Sequence, residues 1–170
     1  MGCPWEGRCS LAKPGEIAIS KDNLIDAISM KKAFNISFLF KPTSYPSENF
    51  RSVIQFTTNK GAKSLTCEGC RSPGVWIKNG WFHIEMRTQG DALSVILLPG
   101  PPIGKWSKVE ISQTLDEERD VHVFSVRVEG QAEETRDLTD AADYEDVNVF
   151  VGDRWSKAQP GFIKELFVSS

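Results

Sequence analysis

The chain has 170 residues, 40% hydrophobic and 25% charged, with a formal net charge of −3. That length suits one domain, residues 1–170, with a sizeable core. The charge forms no basic stripe, which argues against a nucleic-acid partner, and no apolar run approaches the ~18–20 residues of a membrane-spanning helix.

In chain order, residues 1–16 read as a loop stapled by cysteines and punctuated by Pro4, Pro14 and Gly15. The N-terminal segment 1–30 is expected to pack on the domain as a disulfide-stapled piece. Met1-Gly2 running straight into Cys3 reads as a start placed where a secretory leader has been removed. Lys21 to Met30 suits either a short helical turn or an edge strand. Phe34 to Lys41 is the cleanest alternation: Phe34, Ile36, Phe38 and Phe40 point one way, and Asn35, Ser37, Leu39 and Lys41 the other. Pro42 ends that strand by removing a donor. Ser52 to Thr58 is the next strand, and Thr58 to Gly74 a loop rich in Gly, Lys and Cys.

Gly74 to Met86 organises the rest. Two runs of strand formers flank Asn79-Gly80, and a type I′ turn needs positive φ at both central positions. With those two residues as the loop, Lys78 pairs with Trp81, Ile77 with Phe82, Trp76 with His83 and Val75 with Ile84. Alternation puts Val75, Ile77, Phe82 and Ile84 on a core face, and Trp76, Lys78, Trp81, His83 and Glu85 on the other.

Gln89-Gly90-Asp91 turns the chain into an Ala92–Leu98 strand, and Pro99-Gly100-Pro101-Pro102 is a hard break. Trp106 to Gln113 alternates, with Val109 and Ile111 inward and Lys108, Glu110 and Ser112 outward. Trp106 itself is expected to fill the edge of the core. Asp116 to Asp120 is a turn, and Val121 to Glu129 is a strand ending at Gly130, with His122 pointing outward. Glu133 to Asp146 reads as acidic loop with room for one helical turn. Val147–Val151 and Phe162–Val168 complete about nine or ten short strands, and the pattern is that of an all-β, two-sheet antiparallel β-sandwich.

The four cysteines are Cys3, Cys9, Cys67 and Cys70. Four allow three connectivities. The local pairs Cys3–Cys9 and Cys67–Cys70 are favoured, with crossed pairing as second choice. A zinc site from all four is set against by the single C-x2-C and by the distance of both histidines in sequence. A redox C-x-x-C would open a helix, whereas here Pro73-Gly74 and a strand follow.

The second half resembles the laminin G and concanavalin A-like lectin superfamily. The residues that carry the resemblance are G-K-W-S-K-V-E-I-S-Q (Gly104–Gln113), F-S-V-R-V-E-G (Phe124–Gly130), V-N-V-F-V-G-D (Val147–Asp153) and G-F-I-K-E-L-F-V (Gly161–Val168). Gly161, Ile163 and Leu166 fit the superfamily's closing strand, and Glu129-Gly130 stands where Asp-Gly is usual. With Phe34–Phe40 as the early core strand, the likeness spans about residues 34–168. It implies a jelly roll of two curved antiparallel sheets, usually extracellular, that binds glycans or protein partners.

The face carrying Trp76, Lys78, Trp81, His83 and Glu85 is the candidate ligand site, because aromatic faces beside hydrogen-bonding groups suit a sugar or peptide. The alternative is that a loop covers those tryptophans. Resemblance makes Ca2+ the accessory ion to consider. Asp143, Asp146 and Asp153, with Asp91 and Asp116, fall in expected loops, but no D-x-D-x-D-G spacing joins them. Catalysis lacks support: glycoside hydrolysis needs two facing carboxylates, and the E-x-D-x-x-E strand motif of hydrolases on this fold is absent. Ser-His-Asp chemistry has no nucleophile elbow and only His83 or His122 for a base. Asn35-Ile36-Ser37 is an N-glycosylation triplet on an outward strand face.

The expectation is a secreted or cell-surface recognition and adhesion module, without a transmembrane segment, binding a glycan or an extracellular protein. The alternative is a structural or self-associating matrix module whose Trp face joins chains. A glycoside hydrolase-like enzyme comes third.

Overall fold

The computed structural model describes residues 9–11, 15–46, 49–58, 69–88 and 93–170. In chain order the strands are β1 (Cys9–Ser10), β2 (Ile17–Ala18), β3 (Leu24–Met30), β4 (Phe34–Pro42) and β5 (Arg51–Thr57). The hairpin strands β6 (Gly74–Lys78) and β7 (Trp81–Arg87) follow, then β8 (Leu93–Pro99), β9 (Ser107–Asp116) and β10 (Val121–Val128). The last are β11 (Glu134–Leu138), β12 (Tyr144–Phe150), β13 (Lys157–Ala158) and β14 (Gly161–Ser169). Among the described residues no helix is long and apolar enough to cross a membrane.

Two sheets result. Sheet A runs β1-β14-β4-β9-β10-β11, with β2 also pairing β14; sheet B runs β3-β12-β5-β6-β7-β8, with β13 beside β5. Among the described residues all pairings are antiparallel except β13 with β5. The non-sequential order is the signature of a sandwich in which consecutive strands cross between sheets.

The inward parity of each strand builds the shared core. Phe34, Ile36, Phe38 and Phe40 of β4 are buried, as are Val109 and Ile111 of β9 and Val75, Ile77, Phe82 and Ile84 of the hairpin. Phe40 of sheet A meets Phe82 of sheet B at 5.7 Å between ring centroids, tilted by 53°. Each such side chain contributes about 1.5–3 kcal/mol through removal from water. The hairpin turn forms as its sequence requires, with Asn79 at φ 51° and Gly80 at φ 76°.

One glycine fixes how the sheets close. Gly152 sits at φ 106°, and a Cβ there would lie 2.2 Å from the Ser20 carbonyl oxygen. Its N–H donates to Val53 O at 2.9 Å, so the chain leaving β12 is clamped between β5 and the segment before β3. No other residue meets both demands.

Several expectations are corrected. Segment 21–30 resolves to an edge strand, β3, because Ile28 and Met30 alternate into the core. The 133–146 stretch contains β11, paired along β10 from Glu134 to Leu138; its charged side chains mask a strand that needs only one apolar anchor, Leu138. His122 has the parity of buried Phe124, Val126 and Val128 rather than the outward one, and is half-buried at the strand's start. Trp106 does not fill the core edge. Its ring is held between Lys41 and Lys164, whose ammonium groups lie 4.6 and 4.5 Å from the ring centroid. Charged stems laid on the ring cover it in part, and it stays partly exposed.

Cys70 is fully buried and disulfide-bonded. Its partner and the pairs Cys3–Cys9 and Cys67–Cys70 rest on residues outside the described ones.

Candidate binding face

The hairpin adopts the register read from Asn79-Gly80: Lys78 with Trp81, Ile77 with Phe82, Trp76 with His83, Val75 with Ile84, and Gly74 with Glu85. Strand β8 extends the face, placing Pro99 beside Trp81, Leu97 beside His83, Val95 beside Glu85 and Leu93 beside Arg87. The outer surface of sheet B therefore has two unlike halves.

The half over β6 is packed. Trp76 is only 4% exposed. Its ring lies over Gly74, where a Cβ would come within 2.1 Å of it, so the absence of a side chain two residues back makes its seat. Trp76 Nε1 donates to Asp153 Oδ2 at 3.0 Å. The other Asp153 oxygen accepts the N–H groups of Trp155 and Ser156. Asp153 is fully buried, and these bonds occupy both its oxygens. The Arg71 guanidinium stands 5.5 Å from the Trp76 ring and pairs with Glu85. Arg71 is held there because its carbonyl accepts the Arg87 N–H at 2.8 Å. Burial pushes the Glu85 carboxyl above its ordinary range, against the opposing charges of Arg71 and Arg87. Between these groups lies a small pocket of about 140 Å3, lined by Phe50, Arg71, Trp76, Glu85 and Ser156.

The half over β7 and β8 is open. Trp81 is 49% exposed, Leu97 50%, and Phe50 and Leu93 40% each. Phe50 meets His83 edge-on at 4.9 Å, and Lys78 Nζ lies 4.9 Å from the Phe50 ring. Burial, then the charge of Lys78, holds the His83 imidazole below its ordinary pKa. His83 is accordingly neutral near neutral pH and can both donate and accept.

Of the five residues chosen from sequence, the fold brings all to this face, but it divides them. Trp81, Lys78 and His83 reach the open half, while Trp76 and Glu85 serve the packed half. Phe50, Arg71 and Ser156 escaped the sequence reading, because their approach depends on loops whose path no local pattern dictates. Leu93, Val95 and Leu97 escaped because Leu93–Leu98 is apolar at almost every position and so shows no outward side.

The acidic candidates for a metal do not converge. Asp143 accepts Lys32 N at 2.8 Å and Lys31 Nζ at 3.2 Å, and the backbone bond from Lys32 leads in holding its carboxyl low. Asp116 is engaged with Arg119. Asp146 is exposed at φ 53° on β12, and Asp91 lies outside the described residues. Among the described residues no three His, Cys, Asp or Glu side chains gather as a ligand set.

No protein-family model matches the chain, and neither does any curated protein sequence. Solved structures do. The receptor-binding domain of botulinum neurotoxin type G superposes with a TM-score of 0.63 at 12% identity, covering 91% of this chain and 38% of that one. The fold is a jelly-roll β-sandwich. The receptor-binding domain of botulinum neurotoxin D gives 0.60 at 14% identity, covering 96% of this chain and 39% of its own. The binding domain of botulinum neurotoxin DC in complex with SialylT gives 0.57 at 12%, covering 80% and 31%. The jelly roll thus spans well under half the length of each of these structures, which carries the likeness as fold and leaves function to the chain's own surface.

Proposed function

We propose that this chain is a non-catalytic recognition module of an extracellular or cell-surface protein that binds a glycan through the outer face of β6, β7 and β8. The observation that carries the reading is Trp81, half-exposed on the open half of the face that also carries Lys78, His83 and Phe50. An aromatic face of that kind offers apolar area to a sugar ring, and Lys78 and neutral His83 supply hydrogen bonds at its rim. The structurally similar neurotoxin domains are receptor-binding domains, which points the same way. The pocket lining holds one carboxylate, Glu85, already paired with Arg71. Hydrolysis of a glycoside calls for two, so binding is the better account. Cysteine pairing in an oxidising compartment, with Cys67–Cys70 as a local staple, belongs to the same reading.

A second reading is favoured by one observation: Leu93 and Leu97 stand exposed on β8, the last strand of sheet B. Exposed apolar side chains on an edge strand suit a protein partner or a second copy of the chain.

The test is a glycan array probed with secreted, oxidised protein, with calcium and again with chelator. Binding that Trp81→Ala removes establishes the site, and its survival in chelator removes the ion from the account. A blank array with folded protein overturns the glycan reading. A mass that rises with concentration and falls back in Leu97→Lys then assigns the face to self-association.

A further inference from the structure

The outer face of sheet A carries a trough. Cross-strand register sets Ser169, Asn35, Ser112, Ser125 and Thr135 in one row across β14, β4, β9, β10 and β11. The neighbouring row begins Phe167, Ser37, Glu110. Small side chains between larger ones leave a depression of about 230 Å3, lined by Asn35, Ser37, Lys108, Glu110, Phe167 and Ser169. Its surface is mostly polar, with Phe167 as the aromatic element.

Asn35 is also the head of Asn35-Ile36-Ser37, the one N-x-S/T triplet in the chain. Its side chain is exposed and makes no hydrogen bond to another described residue. Two independent features therefore meet at one residue: the acceptor asparagine of a glycosylation triplet lines the sheet's own depression.

We propose that Asn35 carries an N-linked glycan whose first N-acetylglucosamine lies in this trough. The bond forms between Asn35 Nδ2 and the anomeric carbon of the sugar. The amide gives up one proton, and the leaving group is the diphosphate of a lipid-linked oligosaccharide donor. Transfer to the chain as it enters the secretory route precedes folding, so a central strand position is no barrier. On folding, the sugar meets Phe167 with its apolar face, while Lys108 donates to its oxygens and Glu110 accepts from its hydroxyls. The volume lies below the ~300–1,000 Å3 of sites for drug-sized ligands and suits one or two sugar units. The glycan then shields sheet A and leaves recognition to sheet B. This inference rests on the extracellular reading above.

The experiment is secretion of the full chain from a eukaryotic host, with intact mass and melting temperature measured before and after enzymatic N-glycan removal. Wild type is expected to lose the mass of one N-glycan, and Asn35→Gln and Ser37→Ala to lose none. Glycosylated wild type is expected to melt a few degrees above its stripped form. Phe167→Ala, still glycosylated, is expected to lose that difference. Secreted, folded wild type with an unmodified Asn35 overturns the proposal and leaves the extracellular reading standing. An occupied Asn35 with equal melting temperatures, or a difference that Phe167→Ala leaves intact, overturns the cradle. Protein that folds only in a reducing cytosol overturns the extracellular reading itself.

Discussion

Across sheet A the outward row at Asn35 is small and polar, whereas the outward face of sheet B exposes large apolar side chains in neighbouring rows, Trp81 in one and Leu97 in the next. Both rows ride on strands whose inward parity is equally hydrophobic, since Phe40 and Phe82 meet across one core. The comparison teaches that the core specifies the sandwich and says little about what it binds. Identity resides in the parity that faces water, where a single strand can be rewritten without disturbing its partner sheet.

The largest break comes from the core that both faces share. Phe82→Ala should cost about 3–5 kcal/mol through lost burial and a residual cavity. For a chain of this size that corresponds to a melting temperature lower by roughly 6–20 °C. Calorimetry checks it, and both faces should fail together. Next, Asp153→Ala should sharpen the comparison by weakening the packed half of sheet B alone. It strands the Trp76 indole donor and two backbone N–H groups, at about 1–3 kcal/mol for a buried group left unpaired. Near-ultraviolet circular dichroism should register the freed indole, while occupancy at Asn35 stays unchanged.

Trp81→Ala should separate binding from stability. Loss of a half-exposed aromatic contact should reduce ligand affinity tenfold or more, with stability moving by about 0.5 kcal/mol, as titration and calorimetry of one preparation would show.

The pH response also distinguishes the faces. His83 titrates in the folded state below its ordinary value of 6.5, so the unfolded chain binds more protons as pH falls through 6.5. Its contribution is therefore full above that pH and lost on acidification toward the folded pKa. Glu85 has the opposite sign, since its raised pKa makes the folded state the better proton binder just above 4.5. Melting temperature should fall below pH 6.5, and His83→Gln should flatten that part of the curve. Smallest of all, in the chain stripped of its glycan, Lys108→Ala on sheet A removes an exposed pair with Glu110 and should leave stability within about 0.5 kcal/mol. Sheet B binding should not respond.

How far the sequence could be read follows from where each constraint originates. Strand β4 and the β6–β7 hairpin were legible because alternation and Asn79-Gly80 are local signals. Strand β11 was not, because an edge strand facing water carries charges at Glu134, Arg136 and Asp137 instead of a period. Trp76 and Trp81 share a parity and so looked alike. What separates them is Asp153, which is 77 residues from Trp76 and closes over only one. Trp106 misled for a related reason: Lys41 and Lys164 converge on it from two other strands. Side chains that are satisfied by distant partners leave no trace in their own neighbourhood.

The pairing of the chain's first strands with its last has a consequence for vulnerability. Two short segments, β1 and β2, share the labour of covering β14, Cys9 opposite Val168 and Ile17 opposite Ile163. Leu11 adds a bond from its N–H to Leu166 O at 2.9 Å. A protease cut between them would remove the guard from a nine-residue strand. The bared backbone would then be a template for any extended chain nearby. Protection of the outer edge of β14 thus rests on these two short pairings.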